Sequence, residues 1–265
     1  MTETDFDAFT PPSRPVKRRV SRVLIAMVLI ALAGVVVAGF GFFGFAQYRA
    51  YDLTADNTEA GVLKGAETVI AKAVDASEIH RGDLVMLDFG AFPDAAGEHG
   101  AILKRVIGVG GDTVNCCDPQ GRMQVNGKPV NETYLHGPKP ERGDIFAPYF
   151  VKVPAGSFFV VGDNRDNSRD SRSYFDLPGF GAVPASSVYG VAVATGDRLA
   201  PQPLTPTTAF TDAGLPGAAT PGEDMLLQKI LVVAALVLVL GGIVGMFVSL
   251  IRSGGRAQPR DVDIS

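Results

Sequence analysis

The 265-residue chain carries 24 basic and 28 acidic side chains, which gives a formal net charge of −4 at pH 7. The acidic excess lies between residues 47 and 229, where 23 acidic residues stand against 16 basic ones. This balance argues against nucleic acid as a partner, because binding to a phosphate backbone needs a basic surface.

Two long apolar runs predict membrane-spanning helices near the two ends of the chain. Residues 23–46 form 24 consecutive positions without a charge, and residues 230–251 form a second such run of 22. Each is long enough to cross a hydrocarbon core of about 30 Å as a helix. The first run could belong to a cleaved signal peptide, but it exceeds the usual apolar core of about 7–15 residues. We therefore predict retained spans over residues 23–46 and 225–251.

The charges beside these spans predict their orientation. The tail over residues 1–22 ends in a basic cluster, and the tail over residues 252–265 contains three arginines. Because basic residues close to a span stay in the cytoplasm, we expect both termini on the cytoplasmic side of the plasma membrane, with the lipid bilayer as a partner. Small residues in both spans, Gly34 with Ala38 and Gly241 with Gly245, would allow close helix packing, which the sequence leaves open.

Short apolar runs between the spans predict an antiparallel β domain over residues 47–200. Runs rich in Val, Ile, Phe and Tyr alternate with Gly-Asp and Pro turn residues, which is typical of short strands. The predicted strands cover residues 67–73, 83–89, 101–109, 112–115, 123–125, 150–153, 157–161 and 187–194. Residues 201–224 are rich in Pro, Thr, Ala and Gly, and we predict a flexible linker there.

The cysteines and histidines give no pattern of metal ligands. Cys116 and Cys117 are adjacent, so they could form a vicinal disulfide, pair between chains or remain thiols. His80, His99 and His136 are scattered and lack the spacing of zinc ligands. We therefore predict neither a metal site nor a cofactor.

Two features could carry chemistry. The stretch from Val160 to Arg172 is dense in Asp, Asn, Ser and Arg, which suits a solvated loop or a loop held by Asp–Arg pairs that direct a hydroxyl inward. Lys104 lies in an apolar predicted strand, on the same face as Val106. Burial of that face would favour the neutral amine, which can accept a proton; otherwise the amine reaches solvent at a strand edge.

Four sequence segments together carry a resemblance to a known family. They are LKRVIGVGGDTV at 103–114, VNG at 125–127, FFVVGDNRDNSRDSR at 158–172 and GAVP at 181–184. In order and spacing the chain resembles, along residues 65–195, the type I signal peptidases of Gram-positive bacteria. The resemblance implies a β ectodomain anchored by membrane helices. It also implies a hydrolase, a serine-type endopeptidase that removes signal peptides from exported preproteins without a cofactor.

The resemblance also implies roles for individual residues. Family members use a Ser/Lys dyad, and the matching base here is Lys104. Ser168 matches the hydroxyl that orients the lysine. Asp170 and Arg172 match a pair that braces the site, and they share their loop with two further matching residues, Asp163 and Asn164.

The chain departs from the family at the nucleophile, where S-x-S-M-x-P-T-L is expected. Counting back without gaps from Gly65 places Asn57 at the nucleophile position and Ala55 at the position of an oxyanion donor. An amide has no hydroxyl for a lysine to deprotonate. A one-residue deletion would instead bring in Thr58, with Thr54 as a more distant alternative.

Two hypotheses follow from this departure. One is an active membrane endopeptidase that uses Lys104 with Thr58. The other is a catalytically silent paralogue that binds signal peptides or a partner signal peptidase. No serine occurs between Ser21 and Ser77, so the ordinary dyad is absent under any alignment.

Overall fold

The structure is a computed structural model and describes residues 22–53, 68–95, 100–135, 148–166, 168–197 and 200–254. The chain divides into two compact units. One unit contains most of the two long helices, and the other is the β domain from Phe43 to Gln228.

The β domain consists of two antiparallel sheets. Its strands in chain order are β1 Tyr48–Asp52, β2 Thr68–Lys72, β3 Leu84–Asp88, β4 Ala101–Val109, β5 Thr113–Cys116, β6 Gln124–Val125, β7 Lys128–Pro129, β8 Tyr149–Lys152, β9 Ser157–Val161, β10 Val183–Pro184, β11 Val188–Thr195 and β12 Gln202–Pro203. The larger sheet has the order β1-β2-β11-β3-β4-β9-β10, with β12 on β11, and the smaller has the order β7-β6-β5-β8. The predicted mainly antiparallel β fold is confirmed.

All eight predicted strands are present; two match at both ends, and the ends of the others are shifted by at most one residue. The strands that the sequence did not predict are β1, β7, β10 and β12. Three of these have only two residues, so they contain too little alternation to be recognised. The fourth, β1, begins two residues after the first long helix ends, and two of its five residues, Arg49 and Asp52, are charged.

Strand β4 lies inside the larger sheet between β3 and β9, and its residues 102–108 are buried. Side chains alternate across a strand, so neighbouring residues point to opposite faces. Lys104 pairs in register with Val85 on β3, and Val85 packs in one core cluster with Val106 and Val160. Ile107 packs in a second cluster with Phe159. The adjacent basic residues Lys104 and Arg105 therefore enter the interior on opposite faces of one strand.

The chain after β11 differs from the predicted flexible linker over residues 201–224. We call residues 202–223 the strap. It contains β12 and a short helix, α2, Ala209–Asp212. Phe210 is only 2% exposed and lies with Leu215 in the core of the β domain. The composition of the strap suggested a linker because its few apolar side chains are widely spaced, yet their burial holds the segment against the sheets.

Both predicted spans are helices, α1 Arg22–Ala46 and α3 Leu226–Gly254, and each is long and apolar enough to cross a membrane by length and composition. Within their unit they pack antiparallel. A Cβ added at Gly34 would lie 2.8 Å from Val239, and one added at Gly242 would lie 2.8 Å from Ala31. Gly245 also faces α1, so the close approach uses Gly242 and Gly245 rather than Gly241 with Gly245.

Candidate active site

Lys104 and Ser168 meet in the β domain although 64 residues separate them. The Lys104 Nζ atom donates a hydrogen bond of 2.9 Å to Ser168 Oγ. Lys104 is 7% exposed, and its neighbours Val85 and Val106 are completely buried. Ser168 is partly buried in the loop that follows β9. The amine thus ends in the protein interior at a hydroxyl, and not at a solvent-exposed strand edge.

An ion pair between Asp170 and Arg172 fastens the loop that carries Ser168. The Arg172 Nε and Nη2 atoms donate to the two oxygens of the fully buried Asp170 at 2.9 and 2.8 Å. The same carboxylate accepts 2.9 Å from the backbone N–H of Gly162, directly after β9. Bidentate Arg–carboxylate pairs define orientation as well as distance. The loop is therefore tied to the end of β9 rather than solvated.

The pairing changes the ionisation of Asp170. Burial raises the pKa of this carboxyl, but the Arg172 guanidinium and the Gly162 N–H outweigh burial and hold the pKa below its ordinary value of 3.8. A carboxyl whose pKa is lower in the folded state than in the unfolded chain stabilises the folded state at pH values above its unfolded pKa. That stabilisation is lost as the pH falls through the folded pKa. Asp170 should therefore contribute to stability at neutral pH and lose that contribution below about pH 4.

We expect Asp170→Asn to lower the free energy of unfolding at pH 7 by about 1–3 kcal/mol, because a neutral amide leaves the buried Arg172 charge poorly paired. The deficit should shrink as the pH falls below about 4, because the unfolded wild-type chain then takes up a proton that the folded Asp170 does not, which offsets the stabilisation from the ion pair. Urea unfolding of the full chain in detergent at pH 7 and pH 3 measures both effects. Asp166→Asn, an exposed change in the same loop, is the control and should alter neither value. An equal deficit at both pH values would contradict the assignment.

Asp163, at the start of the loop, pairs with a residue that the sequence did not single out. Arg105 donates from Nε and Nη2 to the two Asp163 oxygens at 2.8 and 2.5 Å, and from Nη1 to the carbonyl of Gly82 at 2.7 Å. The Arg105 guanidinium also lies 4.2 Å from the centre of the Tyr134 ring. The sequence contained one signal for this pair. Arg105 is a second charged residue inside an apolar strand, where burying a cation without a partner would cost free energy.

A third buried pair holds the middle of the loop. Arg165 donates from Nη1 to Glu132 Oε2 at 2.9 Å and from Nη2 to Glu132 Oε1, and its Nε donates 3.1 Å to the Gly162 carbonyl. Tyr134 Oη donates 2.7 Å to the same carboxylate. Asn164 is half-buried between the two paired residues of the loop. Neither Arg165 nor Glu132 was predicted, since the partners are far apart in sequence.

The predicted nucleophile positions lie outside the described residues. Asn57 and Thr58, and also Ala55 and Thr54, fall between residues 53 and 68. Their roles therefore remain predictions from the sequence.

The cysteines, which the sequence left open, form a disulfide between Cys116 and Cys117 at the end of β5. Among the residues that the structure describes, no group of three His, Cys, Asp or Glu side chains is placed to hold a metal ion.

Comparison with known proteins gives consistent matches. The family model described as signal peptidase, peptidase S26, matches residues 20–195. Signal peptidase I of Bacillus licheniformis is 38% identical over 122 residues, 43% of this chain and 58% of that protein. Signal peptidase I of Bacillus amyloliquefaciens is 40% identical over 108 residues, 38% of this chain and 52% of that protein. The chain thus spans little more than half the length of these relatives.

A solved signal peptidase I from Enterococcus faecalis V583 is 30% identical, with a TM-score of 0.32, and the match covers 42% of this chain and 94% of that one. The family match is the broader finding, since residues 20–195 make up well over half of the 265-residue chain and include both Lys104 and Ser168. The chain belongs to the signal peptidase family, peptidase S26.

Proposed function

We propose that this protein acts on the signal peptides of exported preproteins and cleaves them with Lys104 as the general base. The observation that carries the proposal is the 2.9 Å hydrogen bond between Lys104 Nζ and Ser168 Oγ in a buried site. A general base must be held in one orientation by a hydrogen-bond partner, so that its lone pair faces the proton that it accepts. Ser168 supplies that partner, and its loop is held by the pairs at Asp163, Arg165 and Asp170.

In the reaction we propose, Lys104 first accepts a proton and then donates it. The neutral Lys104 amine takes the proton of a nearby hydroxyl, and the oxygen bonds to the carbonyl carbon of the scissile peptide. The resulting ammonium gives the proton to the leaving amine as the C–N bond breaks, which leaves an ester. Water then hydrolyses the ester with Lys104 again acting as base. Thr58 supplies the hydroxyl in this proposal, because Asn57 has none.

The membrane setting of this reaction is part of the proposal. The antiparallel packing of α1 with α3 is supported by close contacts at Gly34 and Gly242, and it would place both ends of the chain on one side of a bilayer. The basic tails favour the cytoplasm for that side. The β domain would then meet preproteins on the outer face of the plasma membrane, where signal peptides emerge.

A second function is favoured by one observation, the amide side chain at position 57. Loss of the serine nucleophile in a comparable protease costs on the order of 10⁶ in turnover. A chain with Asn57 could keep the buried Lys104 site and bind signal peptides, or a partner signal peptidase, without cleaving. The two candidates share the binding site and differ in the chemical step.

One experiment separates these candidates. The full chain is reconstituted in lipid vesicles with a labelled signal peptide substrate, and cleavage and binding are measured for the wild type and for Lys104→Ala. Cleavage that Lys104→Ala abolishes and that Lys152→Ala, a change at an exposed lysine, leaves intact would support the endopeptidase. Binding without cleavage would support the silent paralogue. Neither binding nor cleavage by the wild type would contradict both.

A further inference from the structure

We propose that the strap positions the loop that carries Ser168, with Phe210 as its principal positioning residue. The inference rests on the proposed function only in taking Lys104 and Ser168 as the site. The strap lies beyond residue 195, where the family match ends. It is therefore an addition to the part of the chain that carries the family motifs.

Phe210 belongs to the core that lies beneath the loop. Its side chain is 2% exposed and shares a core cluster with Ile107 of β4 and with Phe159 and Val161 of β9. Ile107 lies on the opposite face of β4 from Lys104, because odd and even positions of a strand face opposite ways. The strap thus closes one face of the two strands between which the site is built.

The first connection from the strap to the loop runs through Gly82. A Cβ at this position would lie 2.8 Å from Thr207 and 3.2 Å from Phe210, so strap side chains press directly on this turn. The Gly82 carbonyl accepts the 2.7 Å hydrogen bond from Arg105, and Arg105 in turn holds Asp163. A displaced strap would therefore displace an acceptor of the cation that holds the loop's first residue.

The second connection runs through Tyr134. The ring of Phe210 stacks on the Tyr134 ring, with centroids 6.3 Å apart and planes 14° apart. Tyr134 donates through its hydroxyl to Glu132, and Glu132 holds Arg165. The carbonyl of Arg165 accepts 3.2 Å from Arg172, the partner of Asp170. Both connections thus end in the loop, on either side of Asn164.

Four polar contacts hold the strap in place at its later residues. The backbone N–H and the hydroxyl of Thr220 donate to the Asp83 carboxylate at 2.6 and 3.1 Å. Arg81 donates 2.9 Å to the carbonyl of Pro216. Lys72 on β2 pairs with Glu223 at 2.8 Å. These contacts bind the strap to β2 and to the turn that precedes β3, which a mere tether would not require.

Burial makes Phe210 matter for the charges as well as for packing. Arg105, Asp163, Glu132 and Arg165 are all buried, and ion pairs weaken when water enters their surroundings. The Phe210 ring lies against Tyr134, which in turn lies against the Arg105 guanidinium. Truncation of Phe210 would open this side of the cluster and loosen both pairs that hold the loop.

The test measures local opening of the loop by hydrogen exchange in the full chain, reconstituted in lipid nanodiscs. We expect Phe210→Leu to speed hydrogen exchange of the amides of residues 168–172 about tenfold. The substitution removes the stacking on Tyr134 and part of the buried side-chain area at position 210. Phe210→Tyr keeps the ring and should restore the slow exchange. Ile70→Ala, in a separate core cluster around Val193, serves as the control for a general loss of stability.

The experiment measures hydrogen exchange in the loop and not activity, so its outcome does not depend on whether the protein cleaves signal peptides. Faster loop exchange in Phe210→Leu than in Ile70→Ala at equal melting temperature supports the inference. Unchanged exchange, or the same increase in both variants, overturns it. If Phe210→Leu does not fold, Thr220→Val removes only the hydroxyl contact to Asp83; faster loop exchange in that variant supports the proposal, and unchanged exchange overturns it.

Discussion

Asn57→Ser alone should raise signal peptide cleavage above the wild-type rate but leave it about 10²–10³ below the rate of the Ala55→Ser, Asn57→Ser double variant. The single change places a serine hydroxyl at the family's nucleophile position, where Lys104 would deprotonate it in the proposed reaction. It does not restore the second serine of the family pattern, which stabilises the oxyanion of the tetrahedral intermediate. The loss of one such donor in a comparable protease has an effect of this size.

Turnover of a labelled signal peptide by the full-length variants measures this effect directly. Each variant is also prepared with Lys104→Ala, which should abolish the gained activity if the new serine depends on that base. Full activity in Asn57→Ser alone would contradict the role of position 55. Equal and negligible activity in the single and double variants would show that the alignment without gaps is wrong.

The second large effect concerns stability. Arg105→Met should lower the free energy of unfolding by about 3–5 kcal/mol, because it leaves the Asp163 carboxylate buried without its cation. The Asp163 side chain is completely buried, so water cannot replace the lost partner. The double variant Arg105→Met, Asp163→Leu should recover much of this loss, since apolar side chains of similar volume often replace a buried pair without destabilisation.

Urea unfolding of the β domain within the full chain, followed by tyrosine fluorescence, measures both variants. Arg169→Met is the matched control, because both side chains of its pair with Asp94 are exposed, at 54% and 48%. An exposed pair contributes about 0–1 kcal/mol, so the control should change little. A loss of similar size in Arg105→Met and Arg169→Met would contradict a special role for the buried pair.

The sequence could predict those parts of the protein that depend on local patterns. Alternating apolar runs predicted eight strands, because burial of one side of a strand leaves a period of two in the residues themselves. The uncharged runs predicted both long helices. The segments around Lys104 and from Phe158 to Arg172 predicted the family, because long polar and apolar motifs in a shared order rarely coincide by chance.

The same reasoning missed features whose partners lie far apart in the chain. Arg105 and Asp163 are separated by 58 residues, and Arg165 and Glu132 by 33. The residues next to Arg105 and Arg165 in the sequence do not indicate which carboxylate each of them pairs with. The strap was predicted as a linker because Phe210 is one aromatic residue among prolines and threonines. The residues that bury it lie in distant parts of the chain.

The sequence by itself determined the class of the protein, its two long apolar helices, eight of the twelve strands among the described residues, the presence of Lys104 in an apolar strand and the lack of a serine between Ser21 and Ser77. Only the tertiary structure decided that the Lys104 amine meets Ser168 at 2.9 Å and that the cation beside it, on the opposite face of β4, holds the same loop. The physical reason is that strand periodicity records whether a residue is buried, whereas the partner of a buried charge is chosen by the packing of segments distant in the chain.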